Sequence, residues 1–315
     1  MPFMKVGNID LHYEIYGEGF PLLFIGGLGG TTWTWSGQIP FFKNHYRCIL
    51  FDNRGAGLSG KPPGPYSIAG MAEDALHLLD GLMVEKAFVF SVSMGGMIAI
   101  ELAAIASSRL CAMLLGCTHA GGKAHISPSP QTVAMLMDNA GLSREELLWK
   151  QTPLFFSKRF RTQNLKAIKD QYRMQLLAPV QPGYAFNAQL RAIPLFDCTD
   201  ALGHITAPAL VVTGTEDVLV PAANATYLAR HLPNAELIEI PGAGHALHVE
   251  CRDFLNRSAH DFTANIPARW LRRIERGKFS FFPKSPARRP GRNDRRRAVF
   301  RRRCRGEPGR WKARS

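Results

Sequence analysis

Long apolar runs are missing from this chain: nowhere do its 315 residues approach the roughly 18 successive apolar residues that a helix needs to cross a bilayer. No membrane association is therefore expected. There is no collagen-like period, no internal repeat and no disulfide-dense pattern. The N-terminal stretch MPFMKVGNIDLHYEIYG carries no charged-then-apolar leader, so the chain is expected to stay unexported and cytoplasmic. Cysteine is scarce and scattered. Cys48, Cys111, Cys117, Cys198, Cys251 and Cys304 form no C-x-x-C pair, and several sit in apolar runs as small hydrophobes do. Neither a disulfide framework nor a zinc site is expected, and no other metal or cofactor is.

Positive charge is also missing from most of the chain, although the net charge is +14. Between residues 266 and 315 sixteen arginines and three lysines face only Glu275, Asp294 and Glu307, so the first 265 residues are slightly negative. Arginine and lysine are nearly balanced in that body, whereas the tail strongly prefers arginine and shows neither helical nor strand periodicity. Beyond Trp270, its aromatic residues are Phe279, Phe281, Phe282, Phe300 and Trp311. Residues 266–315 are therefore expected to be a disordered appendage, and contact with nucleic acid or an anionic surface is not the favoured reading.

What the chain does have is a core-forming composition, 46% hydrophobic, enough for one large α/β domain with an insertion. The most informative stretch is Lys86 to Ile105, KAFVFSVSMGGMIAIELAAI. Ala87 to Ser91 reads as a strand covered on both faces, and Met94 to Ala106 as a buried helix. Between them, Ser91-Val92-Ser93-Met94-Gly95 fits small-x-Ser-x-small, a sharp turn that puts Ser93 in strained backbone geometry at a helix N-terminus. Gly95-Gly96 falls where side chains would collide with neighbouring strands. Ser91 stands where a glycine is usual.

Further strands are expected at Phe3–Asn8 and Leu11–Tyr16, joined by a turn at Asn8-Ile9-Asp10, and at Leu22–Ile25, Tyr46–Phe51, Leu110–Cys117, Ala209–Thr213 and Ala235–Ile240. Ser67–Met83 is an amphipathic crossover helix, and helices close the chain at Ala222–His231 and Val249–Ala264. Residues 119–200 carry no strand signal but show helical segments at Gln131–Asn139, Ser143–Lys150, Thr162–Leu177 and Gly183–Ile193. They read as an inserted lid between the two parts of the core, 1–118 and 201–265. Met135, Met137, Trp149, Phe155, Phe156, Tyr172, Met174 and Phe186 are expected to divide between lid core and pocket lining. The turn Asp52-Asn53-Arg54-Gly55-Ala56-Gly57-Leu58-Ser59 reads as structural, held by Asp52 and Arg54. Strands and helices alternate throughout, so the sheet is expected to be mostly parallel and doubly wound, with the site at the strand C-termini.

Three loops at that edge carry chemistry. Gly26, Gly27, Gly29 and Gly30 leave backbone N–H groups exposed beside Ser93. There the amides of Leu28 and Met94 can hold an oxyanion. Phosphate binding is the lesser reading of this loop, because it has neither the G-x-G-x-x-G order nor a Walker lysine. Asp217 follows the Ala209–Thr213 strand, and His245 follows Ala235–Ile240. A serine hydroxyl needs a base with pKa near 7, which imidazole supplies, and a carboxylate fixes the tautomer of that imidazole. Glu216 neighbours the acid, but its placement after the strand is less suitable. His248, nearly one turn beyond His245, reads as packing.

With these residues in order, the sequence resembles the α/β-hydrolases over about residues 5 to 264, through GGLGG, FDNRGAGLS, SVSMGG, the insertion, GTEDVLVP and GAGHALHVE. The resemblance implies an eight-stranded, mostly parallel sheet with a helical lid, and a catalytic triad at Ser93, Asp217 and His245. It also implies cleavage of a small-molecule carboxylic ester or lactone through an acyl-enzyme. Carbon–carbon bond hydrolases and cofactor-free perhydrolases share the same triad, and a ligand-binding protein on a retired scaffold is the remaining reading. Serine at the elbow argues against haloalkane dehalogenases and epoxide hydrolases, which attack with a carboxylate. Gly26 departs from the family, where histidine is usual, and this puts the rigidity of the oxyanion loop in question.

Overall fold

Short β-prone runs near the N-terminus form an antiparallel hairpin, β1 (Phe3–Val6) with β2 (Ile9–Tyr16), in a computed structural model that describes residues 2–138, 141–267 and 300–301. The reversal falls on Gly7-Asn8 and not on Asn8-Ile9-Asp10 as the sequence suggested. Gly7 adopts φ +51°, a conformation that favours a residue without Cβ, and Ile9 is buried as part of the sheet.

Then follow β3 (Pro21–Ile25), a short α1 (Ile39–Phe42), β4 (Arg47–Phe51), the crossover helix α2 (Ile68–Gly81), β5 (Ala87–Val92), α3 (Met94–Ile105) and β6 (Leu110–Gly116). Five helices come next without a named strand: α4 (Pro130–Met137), α5 (Arg144–Phe155), α6 (Lys158–Gln163), α7 (Leu165–Leu177) and α8 (Gly183–Ala192). The sheet resumes with β7 (Ala209–Gly214), α9 (Ala223–His231) and β8 (Ala235–Ile240), and α10 (Leu247–Glu250) and α11 (Arg252–Ala264) follow. Phe300–Arg301 forms β9, two residues paired parallel to Ile238–Glu239 of β8. These two residues therefore join the sheet, contrary to the expectation for the tail. The remainder of that expectation, beyond residue 267, lies outside the described residues.

The strand order is β1-β2-β4-β3-β5-β6-β7-β8-β9, antiparallel up to β4 and parallel from there on. The eight expected strands are all present, with β9 added at the outer edge. Strands β5, β6 and β7 are buried along their whole length, as a parallel strand covered on both faces must be. One face is covered by Met71, Leu78 and Leu79 of α2, Met97, Ile98 and Leu102 of α3 and Leu228 of α9. The other is covered by Phe42 of α1 and Leu255 and Ala259 of α11, around the rings of Phe24, Trp35 and Phe90. The helical insert keeps a small core of its own, Phe156, Phe160, Ile168 and Tyr172, closed by Ala246 from the loop after β8. Met135 and Met137, which the sequence placed in a lid core or pocket, are 38% and 50% exposed.

Because β5 to β8 run parallel, the segments leaving their C-terminal ends share one edge of the sheet. Those segments carry Ser93, Cys117, Asp217 and His245.

Candidate active site

A strand that must turn at once into a helix leaves one residue at the junction in unfavourable backbone geometry. That residue is Ser93, with φ 56° and ψ −128°. Such a conformation costs on the order of 1–3 kcal/mol and persists only where the surroundings enforce it. Here the Ser93 amide donates to the Gly116 carbonyl at 2.8 Å, while its own carbonyl accepts from Gly96 N at 2.8 Å. The helix can start this close to the sheet because Gly95 and Gly96 have no side chains. A Cβ on Gly95 would lie 2.1 Å from the Ile25 carbonyl oxygen, and one on Gly96 2.5 Å from Thr118 Cβ. Ser91 is accommodated at the usual glycine position by turning its hydroxyl sideways, where it donates to the Leu114 carbonyl of β6 at 2.7 Å.

The glycine loop after β3 lies directly against the elbow: a Cβ on Gly27 would stand 3.1 Å from Ser93 Cβ. Its Gly26 carbonyl accepts from Asn53 Nδ2 at 3.0 Å, Gly30 N donates to the Gly27 carbonyl at 3.0 Å, and Gly29 N donates to Gln189 Oε1 at 3.0 Å. Among the described residues the amides of Leu28 and Met94 donate to no protein group. The turn that supplies Asn53 is held by Asp52, whose carboxylate accepts from Thr32 N at 2.7 Å, Leu58 N at 2.8 Å and the His12 ring at 3.0 Å. Arg54 does not pair with Asp52. Its guanidinium makes two 2.6 Å bonds to Asp74 of α2.

On the opposite side of the site, His245 and Asp217 are both buried, and His245 Nδ1 lies 2.7 Å from Asp217 Oδ2. The second carboxylate oxygen accepts from Leu219 N and Val220 N at 2.9 and 2.8 Å, which keeps the side chain from rotating away. Glu216 is exposed. With Nδ1 engaged by a carboxylate, the tautomer carrying its proton on Nδ1 is favoured and Nε2 is left as the basic nitrogen. Ser93 Oγ is not hydrogen-bonded to His245. Among the described residues it has no hydrogen-bond partner, and nucleophile–base contacts of this kind commonly tighten only when substrate arrives.

The histidine loop is tied to the insert. Ala246 N donates to the Phe155 carbonyl at 2.8 Å, and Gly244 N donates to Glu250 Oε2 at 3.1 Å. Glu250 also accepts from Ser157 N at 3.1 Å and Ser157 Oγ at 2.5 Å. The Phe155 ring sits 6.1 Å from the His245 ring. His248 packs on Trp35, and burial, helped by the proximity of His245, pushes its pKa down to about 4.

Cys117 Sγ, a carboxylate oxygen of Asp217 and a ring nitrogen of His245 lie within 4.8 Å of one another. Burial, reinforced by the Asp217 carboxylate, holds the thiol well above its ordinary range. A metal would require the thiolate and would displace the His245–Asp217 bond, so this donor set fits a proton-handling pair with a thiol behind it better than a metal cage.

Sequence reasoning picked out Ser93, Leu28, Met94, Asp217 and His245, but it passed over Asn53, Gln189, Glu250 and Cys117. A signal for Gln189 did exist. Ala185, Ala188, Gln189 and Ala192 form the buried stripe of α8, and a polar residue among alanines there has to find a partner.

The profile of the family described as alpha/beta hydrolase fold matches residues 21–250. A protein of Azorhizobium caulinodans provisionally named carbamate hydrolase RutD is 30% identical over 269 residues, covering 84% of this chain and 99% of its own. One from Mycobacterium tuberculosis provisionally named non-heme bromoperoxidase BpoC is 31% identical over 264 residues, covering 82% of this chain and all of its own. The solved enol-lactonase from Burkholderia xenovorans superposes with a TM-score of 0.73 at 27% identity, covering 84% of this chain and 100% of that one. Sheet order, elbow and family profile agree, and the chain belongs to the alpha/beta hydrolase fold family.

Proposed function

We propose that this chain is a serine hydrolase that cleaves a carboxylic ester or lactone through an acyl-enzyme. The observation that carries the reading is the 2.7 Å bond from His245 Nδ1 to the buried Asp217 carboxylate, on the same sheet edge as the strained Ser93 elbow. In the proposed mechanism His245 Nε2 takes the Ser93 proton as Oγ adds to the substrate carbonyl, and Asp217 stabilises the resulting imidazolium. The carbonyl oxygen, now negative, receives the Leu28 and Met94 amides. The start of α3 adds a favourable dipole. When the tetrahedral adduct collapses, His245 gives its proton to the leaving alkoxide, and the acyl group stays on Ser93. Water, deprotonated by His245, then repeats the addition and releases the acid. The helical insert serves in this reading as the lid that selects the substrate.

The similarity to an enol-lactonase supports an ester or lactone carbonyl as the target, and the same steps would cleave the carbamate suggested by the name RutD. The reading is tested by exposing the folded protein to a fluorophosphonate and locating the adduct. Labelling at Ser93, absent in Ser93→Ala, is expected, together with turnover in a panel of p-nitrophenyl esters, lactones and vinylogous diketones. No adduct on folded protein would favour a retired, ligand-binding scaffold. Turnover of the diketones alone would reassign the chain to carbon–carbon bond hydrolysis.

A further inference from the structure

We propose that Gln189, a residue of the insert, is a positioning residue for the Leu28 oxyanion donor, so that the oxyanion hole is complete only while α8 is seated on the glycine loop. The proposal rests on the ester-hydrolase reading above.

The direction of the Leu28 N–H is set by the peptide planes around it. In a trans peptide the carbonyl of one residue and the amide of the next point in opposite directions. The Gly27 carbonyl is occupied by Gly30 N, so the Leu28 N–H of that plane is turned the other way. A single pinned plane in a run of glycines does not hold its orientation, because glycine leaves the adjoining dihedrals soft. The two flanking planes must be held as well. The plane before is fixed by Asn53 Nδ2 on the Gly26 carbonyl, a contact made within the core. The plane after is fixed by Gly29 N donating to Gln189 Oε1, and that contact comes from the insert.

Gln189 is built for this role. Its side chain is fully buried and makes three hydrogen bonds. Oε1 accepts from Gly29 N and from Gln181 Nε2 at 3.0 and 3.1 Å, and Nε2 donates to the Arg54 carbonyl at 2.7 Å. Arg54 adjoins Asn53 and is itself clamped to Asp74, so Gln189 ties the oxyanion loop to the segment that holds its other end. Gly29, at φ +66°, has Gln181 and Phe186 of the insert pressed against it, and a Cβ there would stand 3.0 Å from Gln181 Oε1. This arrangement also answers the question raised by Gly26: the loop gains its rigidity from two amide side chains in place of the usual histidine.

The experiment compares wild type with Gln189→Met, which keeps an unbranched side chain of similar volume but removes both polar atoms, and with Gln189→Glu, which keeps the acceptor. For p-nitrophenyl acetate, kcat of Gln189→Met is expected to fall about tenfold to a hundredfold with KM within about twofold, since an oxyanion donor acts on the transition state and not on bound ester. Binding of a trifluoromethyl ketone, whose adduct carries the oxyanion, should weaken by the same factor, and Gln189→Glu should lie between the two. A merely structural glutamine would lower the melting temperature and leave these ratios intact. Unchanged kcat in folded Gln189→Met overturns the proposal. If that variant does not fold, the wild-type Gly29 amide decides: slow hydrogen exchange supports the bond to Gln189, and free exchange overturns it. Wild-type protein that fails to label at Ser93 overturns the hydrolase reading and this proposal with it. Normal labelling combined with unchanged kcat in Gln189→Met overturns this proposal alone.

Discussion

The His245–Asp217 pair determines which imidazole nitrogen is free to accept a proton, and a substitution that changes one atom can reverse that choice. In Asp217→Asn the Oδ1 contacts to Leu219 N and Val220 N can persist, while an amide NH2 facing Nδ1 would favour the tautomer with its proton on Nε2. We expect kcat on a p-nitrophenyl ester to fall by about 10³ to 10⁴ with a nearly unchanged melting temperature. Stopped-flow measurement of acylation checks this, and acylation at the wild-type rate would remove Asp217 from the mechanism. Two glycines of the site should behave in opposite ways. Alanine at Gly95 would press its Cβ to 2.1 Å from a backbone oxygen that cannot move without β3, so a loss of about 3 kcal/mol or more is expected. At Gly26 the nearest atom would be 3.5 Å away, an ordinary contact, and φ there is not positive. Gly26→Ala should therefore stay within about 1 kcal/mol of wild type in urea unfolding. A large destabilisation at Gly26 would contradict the loop geometry described here.

At the level of elements, the insert is tied to the core at several points, among them Gln189 at the glycine loop and the Ser157–Glu250–Gly244 contact at the histidine loop. Removing the second in Glu250→Ala leaves three donors without their acceptor: Gly244 N, Ser157 N and Ser157 Oγ. A loss of about 2 kcal/mol or more in unfolding free energy is expected, with increased proteolysis between α5 and α6. Protease sensitivity equal to wild type would show that the insert does not depend on this contact. The sheet was legible in the sequence because strands such as FVFSV are buried on both faces and bounded by glycine and charge, so local pattern and tertiary environment agree. The helix start at Ser67 was equally legible, since its hydroxyl does accept from Gly70 N. The insert was less so. Helix α5 was expected to stop near Lys150, yet it continues through Pro153 to Phe155, and α6 was not seen separately from α7. The expected last helix breaks at Cys251 into α10 and α11. At the end of α5, Phe155 and Phe156 are drawn towards the histidine loop, which no local pattern encodes, whereas the start of α6 does carry a local signal, the Ser157 hydroxyl that accepts from Phe160 N.

Over the whole molecule, charge and protonation are segregated: a slightly negative hydrolase body carries buried neutral histidines, while the whole excess of positive charge lies beyond residue 265. His119, stacked at 3.8 Å on His125, accepts from Gly121 N through Nδ1, and its pKa is pushed down to about 3 by burial and then by His125. With His248 at about 4, two side chains that bind protons near pH 6.5 when the chain unfolds stay neutral in the folded state well below that. Between about pH 6.5 and 4 the unfolded chain therefore takes up more protons than the native one, and stability declines as pH falls through this window. Above about pH 6.5 these two groups contribute no pH dependence. His119→Asn offers an oxygen in place of Nδ1 as acceptor for Gly121 N and removes one titrating group. Urea unfolding of this variant should show the slope of stability against pH between 6.5 and 4 reduced by about one proton relative to wild type. The two slopes would coincide only if His119 were already protonated in the native state, which its burial and its bond from Gly121 N oppose.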